Sequence, residues 1–143
     1  MIPGIELLYQ RIADAMTAAI PEEWASAEFH ARFHSDGSTY EAEYVRPDGG
    51  AVGFQPGSDG SRAIRELRRL FREASKPVWG ELRFLLRADG SFNARWEYDG
   101  CDSHGDLPFD EVAELRRHGE RRLRLLAGRA KQAEPGAAAD GGA

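Results

Sequence analysis

The chain has 143 residues, a formal net charge of −5 and one cysteine, which suits one domain around a single core. A lone cysteine excludes an internal disulfide and a thiolate-based structural zinc site. No run of about 18 apolar residues offers a membrane-spanning helix, and the start, Met1 to Glu6, has neither the basic nor the apolar part of a signal peptide, so a cytoplasmic location is expected.

The charge is uneven. Up to Asp106 there are 18 Asp/Glu against 12 Lys/Arg, and from Leu107 to Lys131 there are 4 against 7. A net-acidic body argues against nucleic acid as the partner, because phosphate neutralisation needs clustered cations.

Leu8, Tyr9, Ile12, Met16, Ala19 and Ile20 recur at helical steps from Ile5 onward, which predicts an amphipathic helix ended by Pro21. Ala27, Phe29, Ala31 and Phe33 then alternate with Glu28, His30 and Arg32, the pattern of a half-buried strand. After the turn Ser35-Asp36-Gly37-Ser38, alternation resumes with Tyr40, Ala42 and Tyr44 against Glu41 and Glu43. A second turn, Pro47 to Gly50, leads to a short strand, Ala51 to Gln55.

Pro56 to Gly60 is expected as a loop, with Ser61 capping a helix whose apolar stripe is Ile64, Leu67, Leu70, Phe71 and Ala74. Its other face carries Arg62, Arg65, Glu66, Arg68, Arg69, Arg72 and Glu73. Leu82, Phe84 and Leu86, the turn Ala88 to Ser91, and Phe92, Ala94, Trp96 and Tyr98 make a hairpin. A last helix, from about Pro108 to Ala127, is supported by Phe109, Val112, Leu115, Leu123 and Leu126, although Gly119 costs it about 1 kcal/mol relative to Ala.

The expected fold is therefore α+β: an antiparallel sheet of about five strands in the order α-β-β-β-α-β-β-α, with helices covering one face and the other left wet. One domain spans residues 1–130, and residues 131–143 are expected as a disordered Ala/Gly tail.

Chemistry is sparse. The glycine-rich stretches lack the Lys-Ser/Thr of a phosphate loop and the spacing of a dinucleotide fingerprint, so they read as turns. His30 and His34 fall on the outward face of a strand and read as surface histidines rather than metal ligands. Asp99, Cys101, Asp102, His104 and Asp106 could hold a metal or pair a thiolate with an imidazole, but an acidic, glycine-punctuated loop accounts for them. No catalytic residue, metal or cofactor is expected. Trp24 and Trp79, each just after a proline, read as lids on the core rather than exposed anchors. The basic surface of Arg116, Arg117, Arg121, Arg122, Arg124 and Arg129 reads as a solvated helix face, interrupted by Glu114 and Glu120 and without aromatics to stack on bases.

Several segments together carry a resemblance: Leu8 to Ala13 and Ile20-Pro21-Glu22-Glu23-Trp24 at the first helix, Pro77-Val78-Trp79 with Leu82 and Phe84, the turn Asp89-Gly90-Ser91-Phe92, and Tyr98-Asp99. In this order, over residues 7–102, they resemble the YezG-like family of bacterial antitoxin or immunity proteins. After Asp102 the chain departs from the family pattern, with an arginine-rich helix and an Ala/Gly tail. The resemblance implies a cytoplasmic protein that binds and blocks the C-terminal domain, often a nuclease, of a secreted polymorphic toxin, with no catalysis and no cofactor.

A basic toxin would be met by an acidic face, and Glu28, Glu41, Glu43, Glu97, Asp99, Asp102 and Asp106 are the candidate partner-binding residues. His30, Arg32, Arg83, Arg87 and Arg95 share the sheet's outward face, so it is mixed in charge. The alternative is a non-catalytic interaction or regulatory module that binds through its basic C-terminal helix.

Overall fold

The computed structural model describes residues 2–35 and 37–138. Asp36 of the first expected turn, and residues 139–143 of the expected tail, lie outside the described residues.

Helix α1 (Ile5–Ala19) buries Leu8, Tyr9, Ile12, Ala13 and Met16 and stops at Ile20, whose extended backbone is what a following proline requires. The strands follow the predicted alternation. They are β1 (Ser26–His34), β2 (Gly37–Val45), β3 (Ala51–Phe54), β4 (Glu81–Arg87) and β5 (Phe92–Glu97), with helix α2 (Gly57–Glu73) between β3 and β4 and helix α3 (Glu111–Ala138) last. The sheet is antiparallel throughout, in the order β3-β2-β1-β4-β5. The fold is α+β, in the element order expected.

Cross-strand partners share a face, so the register decides the layers. Phe29 lies opposite Ala42 and Phe84, and Ala31 opposite Tyr40 and Leu82. These side chains meet α1 and α2 in one core with Ile12, Met16, Ile64, Leu67, Phe71 and Trp79. Trp79 is fully buried and Trp24 packs against the same cluster, so both serve the core.

Three local expectations need correction. Helix α2 begins at Gly57 rather than after Ser61, because packing carries the helix through Gly60: a Cβ there would stand 2.9 Å from the Phe29 ring. Arg68, assigned to the solvated face of that helix, is buried. Its guanidinium lies 4.1 Å over the Phe33 ring and donates to the carbonyls of Trp79 (3.1 Å) and Gly105 (2.6 Å). Helix α3 continues to Ala138, so the backbone of residues 131–138 is helical where the sequence suggests the start of a tail.

The largest difference concerns the sheet's second face. It is not left wet, because α3 lies against it. A Cβ on Gly53 of β3 would meet the side chains of Arg121 and Leu125, and one on Gly128 would stand 1.9 Å from the Ala51 carbonyl oxygen. Only glycine fits at Gly128, and the helix approaches the edge strand there at backbone distance.

Candidate functional site

The alternation of β1 and β2 places Glu28, His30 and Arg32 beside Glu43, Glu41 and Thr39 on the second face, and β4 adds Leu85, Arg83 and Glu81 on the other side of β1. Helix α3 then decides how these charges are neutralised. Its residues Glu114, Arg117, Arg121, Leu125 and Gly128 recur at three- and four-residue steps and are the less exposed ones, so this stripe faces the sheet.

Arg124 donates to Glu43 (2.5 and 3.1 Å), Arg121 lies 3.4 Å from the same carboxylate and donates to the Ala42 carbonyl (3.3 Å), and His118 stands 3.7 Å from Glu41. The hydrogen bonds it donates to Glu43 hold the Arg124 guanidinium above its ordinary range. Glu28 is paired from within the sheet by Arg83, at 3.1 Å.

At one end of this seam Glu114 is buried, 7% exposed. It accepts hydrogen bonds from Arg32 and, at 2.5 Å, from Arg117, and lies 3.9 Å from His34. Burial pushes its carboxyl up, but the two guanidinium bonds outweigh burial and leave it below its ordinary value. His34, expected on the surface, is buried beneath this cluster with the Phe109 ring edge-on to it at 5.5 Å. His30 is covered as well, its ring touching Glu81, and that contact holds the Glu81 carboxyl low. Both histidines point to the face the alternation predicts. They are covered because α3 and the segment before it close over that face.

Between sheet and helix an open cleft of about 330 Å³ remains, lined by Glu28, His30, Glu41, Glu43, Arg83, Arg117, Glu120 and Arg124. Of the seven candidate partner-binding residues, the structure brings together Glu28, Glu41 and Glu43 here. Glu97 sits on β5 and pairs with Arg95 at 3.2 Å.

The three aspartates belong to a different place. Asp102 accepts the backbone N–H groups of His104 (2.9 Å) and Asp106 (3.0 Å), which hold its carboxyl low. Asp106 lies 3.5 Å from Arg68, and Asp99 is exposed in the turn after β5. Asp102 and Asp106 thus shape their loop. Among the described residues no group of His, Cys, Asp and Glu could hold a metal ion, and no helix is long and apolar enough to cross a membrane.

The cleft residues outside the candidate set are His30 and Arg83 of the sheet and Arg117, Glu120 and Arg124 of α3. The signal for the helix residues was present in the spacing of Arg117, Arg121 and Arg124, which share one helix face and are opposite in sign to the carboxylates alternating on β2. The chain matches no protein-family model and no curated protein.

Proposed function

We propose that this chain is a non-catalytic binding protein: a cytoplasmic immunity protein that binds and neutralises the C-terminal toxin domain, with a nuclease as the expected class, of a cognate secreted polymorphic toxin. The observation that carries the proposal is the cleft, where Arg83 holds Glu28, Arg121 and Arg124 hold Glu43, His118 stands near Glu41, and the space between them stays open to solvent. Carboxylates held this way are preorganised for a basic partner. Matched charges of both signs favour one partner over others more than they add raw affinity.

The resemblance in residues 7–102 supplies the toxin context, and the cleft supplies the surface. The alternative, binding through the basic face of α3, has less to draw on, because Arg117, Arg121 and Arg124 are already engaged with the sheet or with Glu114.

The test is co-expression with the cognate toxin domain, which the proposal expects to be encoded beside this gene. Survival with the intact protein, lost on combining Glu28→Lys and Glu41→Lys, supports the proposal; both changes spare the Glu43 anchor of α3. Failure of the intact protein to protect would overturn the immunity reading, and protection indifferent to the two reversals would remove the cleft from the interface.

A further inference from the structure

The face of α3 turned away from the sheet is apolar. Val112, Leu115, Leu123 and Leu126 are 66%, 66%, 69% and 44% exposed, and with Gly119 they recur at steps of three, four, four and three along one stripe of the helix. The sequence reading assigned these residues to the packing side. The structure turns the arginines inward instead, since an apolar stripe laid over Glu28, Glu41 and Glu43 would leave carboxylates beneath it without partners.

We propose that this stripe is a self-association surface, which pairs α3 with α3 of a second copy in antiparallel orientation about a two-fold axis near Gly119. This does not depend on the proposed toxin partner.

The stripe is symmetric about its own middle. With Gly119 opposite Gly119 of the second copy, Val112 falls opposite Leu126 and Leu115 opposite Leu123, so each apolar side chain meets another over about 21 Å of helix. Nothing stands within 4 Å of the Cβ position on Gly119, so the two backbones have room to approach at the centre. A two-fold interface must be self-complementary, and the charges at its rim meet that condition. Arg116 and Glu120 flank the stripe on one side, and neither takes an ion pair among the described residues. An antiparallel two-fold axis sets the same rims side by side, which brings Arg116 of each copy next to Glu120 of the other, offset by about 3 Å along the axis. A parallel pairing would set unlike rims together and lose both contacts. Opposed helix dipoles favour the antiparallel arrangement further.

The test is the mass of the intact chain in solution, by sedimentation or light scattering over a concentration series at low salt. The expected result is a concentration-dependent rise from the 15.8 kDa of one chain toward twice that mass. Leu115→Glu with Leu123→Glu, both at exposed positions and checked for an unchanged circular dichroism spectrum, should raise the dissociation constant by at least ~100-fold. Arg116→Glu alone should weaken the dimer, and adding Glu120→Arg should restore it, since the swap rebuilds both pairs only in the antiparallel arrangement. A wild-type chain that stays monomeric throughout, a dimer that survives the two leucine changes, or a charge swap without rescue would each overturn the proposal.

Discussion

Glu28 and Glu43 stand directly opposite each other across the β1–β2 ladder. Like charges at such a pair destabilise a sheet, and this one is relieved from two directions: Arg83 of β4 takes Glu28, while Arg121 and Arg124 of α3 take Glu43. The acidic patch and the arginine-rich helix are two halves of one arrangement, and the cleft is what stays open between them.

It follows that α3 is docked largely by charge. Replacing Arg121 and Arg124 with Glu should speed amide hydrogen exchange along α3 and leave exchange in β1 and β4 unchanged. Exposed pairs contribute about 0.2–1 kcal/mol each, so the cost should appear as local opening rather than global unfolding. Unaltered exchange in α3 would mean that Leu125 and the glycine contacts hold the helix by themselves.

Glu114 should be the most sensitive single position on the second face. Glu114→Ala leaves Arg32 largely buried without its carboxylate, a loss of about 3 kcal/mol in urea unfolding. Because the folded-state carboxyl titrates below its ordinary value of 4.5, its contribution is complete above that value and is lost as pH falls through the lower folded value. The stability of the intact protein should therefore drop with acid in that window, and Glu114→Gln should flatten the slope. An equal acid slope in both proteins would count against the buried cluster.

Two glycines of the same helix should respond in opposite directions. Gly128→Ala forces a methyl against the Ala51 carbonyl and should cost about 1–3 kcal/mol as the helix shifts away. Gly119→Ala meets open space and should stabilise the monomer by up to about 1 kcal/mol. Thermal unfolding at low protein concentration reads both, and equal effects would contradict the close approach of α3 to β3.

The strands and the inner core were legible in the sequence because a period of two is unambiguous when one face is apolar: Ala27, Phe29, Ala31 and Phe33 allow one reading. Two things were hidden. Arg68 looks like any helix-surface arginine, and only the arrival of Phe33 beneath it and of the Gly105 carbonyl beside it makes a buried guanidinium favourable. The orientation of α3 was inverted because Val112, Leu115, Leu123 and Leu126 have the periodicity of a packing stripe. Which side of an amphipathic helix turns inward depends on the surface it meets, and here that surface carries Glu41 and Glu43. Of the candidate partner-binding residues, those on β1 and β2 fell together and Glu97 stayed apart on β5, while Asp102 and Asp106 were drawn into the bonding of their own loop.

The most direct measurement is survival of cells that express the cognate toxin domain the proposal requires together with this protein, as wild type and with Glu28→Lys and Glu41→Lys combined. Protection by the wild type and its loss in the doubly reversed variant, with that variant folded and expressed at the same level, is the predicted result. Death of cells carrying the wild-type protein would contradict the proposed function outright.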